Sequence, residues 1–205
     1  ADIGKATVRV AGVNANNRSY DATANATLSG APTVAALGAD VVAVGGTPVA
    51  LFADKNVGVA KPVSVTGYAL TGADAANYNL LQPTGLAADI SKANLNVTGV
   101  SANNRVFDGT VNATLSGTAT VTALGADSVT LGGTGVATFA NSNAGQGKTV
   151  SVGGYTLSGA DAANYALVQP TGLTATITPR PLSVAAGDAA KVFGDADPVF
   201  NFTVG

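Results

Sequence analysis

The sequence predicts an all-β protein made of tandem β-sandwich modules in an elongated array. The first observation is a repeat with a constant offset of 87 residues, which relates Asp74 to Asp161 and matches most of the chain between positions 5 and 179. The second is that short segments of polar and apolar residues recur at intervals of about 8–12 residues, bounded by turn-forming residues and without a helical period. A repeat of this length can form a domain of its own, whereas the shorter repeats of solenoids form layers of a shared core.

The composition narrows the class of protein. The 205 residues suffice for two sandwich domains of ordinary size. The formal net charge is −2 and only 11% of the residues are charged, so the chain offers no basic face for nucleic acid. Cys, His and Glu are absent, which removes disulfides, thiolate metal sites and histidine chemistry. We therefore expect no enzyme activity, no cofactor and no metal site, and no membrane insertion because no apolar run is long enough.

The isoleucines mark where the copies begin and end. Ile3, Ile90 and Ile177 are the only isoleucines, and they lie at the same phase of the repeat. Only Ser91-Lys92 separates the last expected strand of one copy from the first strand of the next, which leaves less freedom than a Gly/Ser linker would. The expected segments are the tail of a preceding module (1–4), a first β-sandwich repeat (5–91), a second repeat (92–179) and the truncated start of a third module (180–205).

Each copy is expected to contain seven strands. Thr7–Val10 alternates polar and apolar residues, as a half-buried strand does. Later segments stop at turn-forming pairs such as Ser29-Gly30 and Gly45-Gly46, and Gly38 argues against a helix in the short stretch around it. The strands expected in the first copy are 7–10, 23–28, 42–44, 49–52, 63–70, 78–81 and 86–90, and those of the second copy lie 87 residues later.

A seven-residue segment, Gly72–Tyr78, recurs as Gly159–Tyr165. An Asp-led turn followed by a tyrosine at the start of a strand is typical of a tyrosine corner, in which the tyrosine hydroxyl binds the backbone of the turn. Tyrosine corners occur in Greek-key sandwiches, so the modules are expected to be immunoglobulin-like. The residues assigned to this structural site are Asp74, Tyr78, Asp161 and Tyr165.

Two other tyrosines are the candidates for ligand contact. Tyr68 and Tyr155 follow a glycine in an expected strand and keep the hydroxyl group in both copies, so core packing and stacking on a ligand both stay open. The position of Tyr20 is taken by Phe107 in the second copy. This exchange suggests that the hydroxyl of Tyr20 is dispensable and that its ring packs in the core.

Two further patterns are weaker. Residues 145–149, Gly-Gln-Gly-Lys-Thr, resemble the end of a phosphate-binding loop, but Ser142 replaces the first glycine of that motif and a β pattern follows. A plain surface loop is the better interpretation. Stabilisation by calcium at Asp195 and Asp197, or by an isopeptide bond from a strand-end lysine such as Lys5, stays open.

The order of the motifs resembles a known family. Tyr20-Asp21-Ala22 and Phe107-Asp108-Gly109, together with the repeated Gly-Ala-Asp-Ala-Ala-Asn-Tyr segment, are similar to the YDG repeats of filamentous-haemagglutinin-like adhesins. Residues 191–198 resemble the start of an MBG repeat, so the third module is expected to be MBG-like. The resemblance implies a large exported bacterial protein, commonly secreted by the two-partner route, and assigns no catalytic residue.

Resemblance and repeat pattern together suggest a function. We expect the chain to be a structural stalk of a secreted adhesin at the bacterial cell surface that supports attachment, aggregation or biofilm matrix. The alternative is that the repeats themselves bind exopolysaccharide or another adhesin chain. The expected partners are extracellular polysaccharide or other cell-surface molecules, and the fragment is expected to be monomeric.

Overall fold

The computed structural model describes residues 1–205, and the fold is all-β, as predicted. Besides strands it contains two short 3-10 turns, Ala75–Asn77 and Ala162–Asn164, one in each copy of the repeat. Neither turn has the length or the apolar character that a membrane-spanning helix needs, and no other helix is present.

The first copy contains strands β1 to β9. Their bounds are β1 Ala6–Arg9, β2 Ala11–Ala15, β3 Arg18–Ser19, β4 Asn25–Ala26, β5 Leu28–Thr33, β6 Ala43–Phe52, β7 Gly58–Thr71, β8 Tyr78–Leu81 and β9 Leu86–Ser91.

The second copy contains strands β10 to β18, and a short antiparallel hairpin follows it. The bounds are β10 Ala93–Asn96, β11 Thr98–Ala102, β12 Arg105–Val106, β13 Asn112–Ala113, β14 Leu115–Thr120, β15 Thr130–Phe139, β16 Gly145–Ser158, β17 Tyr165–Val168 and β18 Leu173–Thr178, with β19 Val184–Ala186 and β20 Phe202–Val204 in the hairpin.

The same strand pairings occur in both copies. In the first copy a five-stranded sheet has the order β3-β9-β7-β6-β4, and β2 pairs antiparallel with β5. The first strand, β1, lies parallel to β8, with Ala6 opposite Tyr78. In the second copy the sheet order is β12-β18-β16-β15-β13, and β10 lies parallel to β17 with Ala93 opposite Tyr165. Each copy therefore fixes its first strand beside the strand that follows the repeated Gly-to-Tyr segment.

Strand bounds differ from the prediction mainly at glycines. The expected strands 42–44 and 49–52 are one strand, β6, because Gly46 adopts a φ of +91° at a bulge and lets the strand continue. A Cβ at Gly46 would collide with the carbonyl oxygen of Gly67 on β7, so this close approach requires glycine. Strand β2 was not predicted, because its sequence, Ala-Gly-Val-Asn-Ala, lacks the usual alternation.

The chain folds into two compact units whose limits differ from those of the two copies. The first unit contains residues 1–98, 120–133 and 155–168, and the second contains residues 99–119, 134–154 and 169–205. The first unit thus combines the whole first copy with three segments of the second. The expected boundaries after residues 91 and 179 remain a prediction about the repeat, and they do not describe these compact units.

The core of the first unit takes side chains from both copies. Phe52 and Ile90 of the first copy are buried in one cluster with Leu95 and Tyr165 of the second copy. The structure therefore differs from the expectation that each copy encloses its own interior. Alternation along a strand indicates which face is apolar, but it carries no information about which copy covers that face.

The second unit has a core of its own. Its buried side chains surround Ile177, which with Ile90 is the most deeply buried large side chain of the protein at 1% exposure. The cluster consists of Ala137, Phe139, Val150, Ala175 and Ile177. Ile3 shares the phase of these two isoleucines but is fully exposed.

Candidate functional site: a polar cluster joining the two repeats

The repeated Gly-to-Tyr segment holds a loop that lies far away in sequence. In the first copy, the Tyr78 hydroxyl accepts a hydrogen bond from the backbone N–H of Leu37 at 2.8 Å and donates one to Asp40 Oδ2 at 2.7 Å. The hydroxyl therefore reaches the loop 36–41, whereas the sequence suggested the backbone of its own turn. We call this loop, together with the turn 72–78, the head of the first copy.

Asp74 holds the same loop from the other side. Its Oδ2 accepts a hydrogen bond from the N–H of Val41 at 2.7 Å, and its own N–H donates to the Val41 carbonyl at 3.2 Å. Gly72 permits this approach because it has a φ of +111°, and a Cβ there would collide with the Val41 carbonyl oxygen. The predicted site residues Asp74 and Tyr78 thus act on one loop.

The head of the second copy, residues 123–128 and 159–165, has the same geometry. The N–H of Leu124 donates to the Tyr165 hydroxyl at 2.9 Å, and that hydroxyl donates to Asp127 Oδ2 at 2.7 Å. Asp161 Oδ2 accepts from the N–H of Ser128 at 2.9 Å. The predicted residues Asp161 and Tyr165 therefore repeat the roles of Asp74 and Tyr78.

The second head differs in being covered by the first copy, within the first compact unit. Tyr20 donates its hydroxyl hydrogen to Asp127 Oδ2 at 2.6 Å. The rings of Tyr20 and Tyr165 pack edge to face with centroids 5.4 Å apart, an arrangement that aromatic pairs favour. One carboxylate oxygen thus accepts hydrogen bonds from a tyrosine of each copy.

A lysine of the first copy neutralises two carboxylates of the second head. Lys55 Nζ pairs with Asp127 Oδ1 and lies 3.0 Å from Asp161 Oδ1. The Asp127 side chain is 1% exposed, whereas that of Lys55 is 35% exposed. A carboxylate buried to this degree needs hydrogen bonds and a cation, and Lys55 supplies both.

The amide of Asn164 completes the contact. Asn164 is buried, its Oδ1 accepts from the N–H of Val57 at 3.0 Å, and its Nδ2 donates to Asn56 Oδ1 at 3.1 Å. We call Tyr20 together with the loop 53–57 the tail of the first copy. The polar cluster comprises Tyr20, Lys55, Asn56, Val57, Asp127, Asp161, Asn164 and Tyr165.

These contacts shift the pKa values of the ionisable groups. Burial would by itself raise the pKa of Asp127, but hydrogen bonds from Lys55, Tyr20 and Tyr165 together bring it below its usual value. Burial and the hydrogen bond to Asp127 raise the pKa of Tyr165 to about 12 and also raise that of Tyr20. Hydrogen bonds to Asp127 and Asp161 raise the pKa of Lys55. These shifts favour an ionised Asp127 and Lys55 beside neutral Tyr20 and Tyr165.

Sequence reasoning missed the part of this cluster that belongs to the first tail. The exchange of Tyr20 for Phe107 suggested a dispensable hydroxyl, yet this hydroxyl binds Asp127. A signal was present, because the second copy also carries Ser142 in place of Lys55. In the second copy, the hydrogen-bond donors at the positions of Tyr20 and Lys55 are therefore both missing. Their joint loss indicates that the two residues share one partner.

The ligand candidates Tyr68 and Tyr155 are half-buried. Tyr68 packs against the core of the first unit, and its backbone N–H and carbonyl both bond to the side-chain amide of Gln82. These contacts favour the packing interpretation for Tyr68. Ligand binding by either tyrosine remains a prediction.

The weaker motifs have local partners. Residues 145–149 begin strand β16, so the helix that a phosphate-binding loop requires is not there. Asp197 accepts from Lys191 Nζ at 2.6 Å in the exposed C-terminal segment. The structure contains no group of three or more acidic side chains with the spacing of a metal site.

One recess lies in the second unit. It has a volume of about 560 Å³ and an open, mostly apolar lining that includes Phe107, Asn143, Pro179, Arg180 and Leu182. Phe107 and Asn143 are the counterparts of Tyr20 and Asn56, so the recess lies at the tail of the second copy.

Two copies of one β unit, joined through a buried polar cluster, define a repeat protein of the all-β class. The YDG domain family matches the chain twice, at residues 4–85 and 91–172, and the chain therefore belongs to that family. A comparison with curated proteins gave no match. A comparison with solved structures gave none either.

Proposed function

We propose that this chain is a stalk segment of a large secreted bacterial adhesin, in which immunoglobulin-like sandwich modules follow one another in an elongated array. In this role the modules hold an adhesive region away from the cell and so support attachment, aggregation or biofilm matrix. The YDG family membership and the low content of charged residues are consistent with the proposal. The observation that carries it is the polar cluster between the tail of the first copy and the head of the second.

The junction between the copies leaves little freedom for bending. Strand β9 ends at Ser91 and β10 begins at Ala93, so Lys92 alone separates them. The side chains on either side of this residue, Ile90 and Leu95, are buried in the same core. A spacer must resist bending, and a junction that buries its flanking strands does so better than an exposed linker.

The polar cluster fixes the orientation of the second head relative to the first tail, in addition to the buried apolar contact. A purely apolar contact permits sliding and rotation, whereas the bonds of Asp127 and Asn164 have fixed directions. The cation of Lys55 lies between two carboxylates, so displacement of the second head would leave buried charge unpaired. We infer that the cluster sets the angle between successive modules, which a stalk needs to project in one direction.

Small-angle X-ray scattering of the chain tests the stalk. For a stalk we expect a rod-like distance distribution. Lys55→Ser combined with Tyr20→Phe should loosen the junction and broaden this distribution. Phe107→Tyr with Ser142→Lys is the matched control at the other tail, where we expect no change of shape. A compact globular distribution for the unsubstituted chain contradicts the proposal.

The second candidate is that the repeats bind exopolysaccharide, and the recess beside Phe107 and Arg180 favours it. An aromatic ring next to an arginine can stack on a sugar and pair with an acidic substituent. Co-sedimentation with an anionic matrix polysaccharide separates the two candidates. Binding that is lost in Phe107→Ala and Arg180→Ala supports the second candidate. Absence of binding by the intact chain contradicts the second candidate and favours the stalk.

A further inference from the structure

The head of the first copy carries the same groups as the covered head of the second copy. Asp40, Asp74, Asn77 and Tyr78 match Asp127, Asp161, Asn164 and Tyr165 in sequence. In both heads the tyrosine hydroxyl joins the loop N–H to the first aspartate, with distances that agree within 0.1 Å (2.8 and 2.7 Å against 2.9 and 2.7 Å). The two surfaces are therefore alike in chemistry and in local geometry.

Only the second head has a partner. Leu37 is 63% exposed, whereas its counterpart Leu124 is 38% exposed. Asn77 is exposed, whereas Asn164 is 4% exposed. No Lys or Arg nitrogen forms an ion pair with Asp40 or Asp74. The first head thus presents two carboxylates, an amide and apolar side chains. In the second head, the equivalent groups are contacted by Tyr20, Lys55 and Asn56 of the first copy.

We propose that the head of the first copy is a docking surface for the tail of another YDG module, one that carries lysine at the position of Lys55 and tyrosine at the position of Tyr20. The lysine of that tail pairs with Asp40 and Asp74, and its tyrosine donates to Asp40. An asparagine at the position of Asn56 bonds to Asn77. The contact between the two copies in this structure is the template for each of these pairings.

The tail of the second copy does not fit this surface. It presents Phe107 and Ser142, so it has neither a phenol nor an ammonium group to offer. Docking that tail would remove water from Asp40 and Asp74 without supplying a cation, which is unfavourable. The pair of aspartates therefore selects between two kinds of tail, and the residue at position 55 or 142 decides which heads a module accepts. This inference does not depend on the adhesin role proposed above.

A lengthened chain tests the docking surface. Residues 1–91 are placed directly before residues 5–205, so that Ser91 is followed by Lys5-Ala6 as it is naturally followed by Lys92-Ala93. The head of the original first copy then follows a tail of the lysine type. Hydrogen exchange of residues 36–41 in the original first copy is measured by mass spectrometry, with Ala35→Ser at an exposed position of the added copy so that its identical loop gives peptides of different mass. Residues 123–128, where Asp127 is bonded to a lysine-type tail in every version, serve as the internal reference.

We expect exchange at residues 36–41 to slow by about tenfold or more in the lengthened chain relative to the original chain. The matched control carries Tyr20→Phe and Lys55→Ser in the added copy only, which converts its tail to the second type, and most of the slowing should disappear. Asp40→Asn in the head should also remove most of it, while the amide oxygen still accepts the bond from Tyr78.

Three results overturn the proposal. One is unchanged exchange at residues 36–41 in the lengthened chain. Another is equal protection by the two types of tail, which would mean that the aspartates do not select. The third is a circular dichroism spectrum of the lengthened chain that shows no β structure for the added copy. A tail that fits the head should let that copy fold as the first copy does in the original chain.

Discussion

Tyr20 and Asp127 are 107 residues apart in sequence, and the tyrosine hydroxyl donates to the carboxylate at 2.6 Å. The bond connects the tail of the first copy to the head of the second copy. The same carboxylate oxygen accepts from Tyr165, a residue of its own repeat. Asp127 is therefore bonded both to its own head and to the tail of the first copy.

Tyr20→Phe is expected to lower the free energy of unfolding by about 1–2 kcal/mol, because it removes one hydrogen bond from a buried carboxylate and keeps the ring. Urea unfolding followed by circular dichroism measures the change. Phe107→Tyr is the matched control, since it adds a hydroxyl at the uncovered tail of the second copy, where we expect a change within about 0.5 kcal/mol. Equal effects of the two substitutions would contradict a special role for Tyr20.

Lys55→Met is expected to lower the urea midpoint clearly, because it leaves Asp127 and Asp161 close together without their cation. Lys61→Met is the control within the same unit. Lys61 pairs at 2.7 Å with Asp54, whose side chain is 51% exposed, so water can replace the lost partner. If Lys61→Met lowers the urea midpoint as much as Lys55→Met does, then Asp127 and Asp161 depend on their cation no more than an exposed aspartate does.

Asp127 makes the stability of the first unit sensitive to acid. Its pKa is lower in the folded protein than the usual value of about 3.9, so the folded state binds fewer protons than the unfolded state in the interval between the two values. The resulting stabilisation is present above about pH 4 and is lost as the pH falls through the folded pKa. Asp127→Asn should flatten the dependence of the urea midpoint on pH below about 4.

The control for this dependence is Asp108→Asn. The pKa of Asp108 is also lowered, through bonds from Thr110 and Arg105, but its side chain is 52% exposed. Solvent weakens its contribution, so the curve of Asp108→Asn should stay close to that of the unsubstituted chain. Curves of equal slope for the unsubstituted chain and Asp127→Asn would disprove the role of Asp127.

The sequence predicted what lies within one repeat better than what joins two. The repeated segment pointed to its Asp and Tyr side chains, but each tyrosine hydroxyl binds a loop 41 residues earlier, at Leu37 or Leu124, and not the backbone of its own turn as the sequence suggested. The join depends on Lys55, whose partners lie 72 residues away at Asp127 and further still at Asp161. Local patterns do not encode such pairings, and the difference between the copies at positions 20 and 55 was the only trace of them in the sequence.

Gly72→Ala is expected to destabilise the protein by about 2 kcal/mol or more, because the residue has a φ of +111° and its Cβ would collide with the Val41 carbonyl. The loop held by Asp74 would have to move. Gly38→Ala is the control, since Gly38 has a φ of +58° and open space around it, and should cost about 1 kcal/mol. Thermal unfolding of both variants measures the difference, and equal losses would mean that the close approach at Gly72 is unimportant.

Tyr165 should titrate about two pH units above an ordinary tyrosine, with a pKa of about 12 instead of about 10. The neutral ring is favoured because burial and the nearby Asp127 both disfavour the phenolate. Since the folded pKa is raised, the stabilisation is complete below about pH 10 and is lost as the pH rises through about 12. The phenolate absorbance at 295 nm of the unsubstituted chain, minus that of Tyr165→Phe, isolates this titration. A midpoint near 10 in the difference curve would show that Asp127 does not hold the Tyr165 hydroxyl in solution.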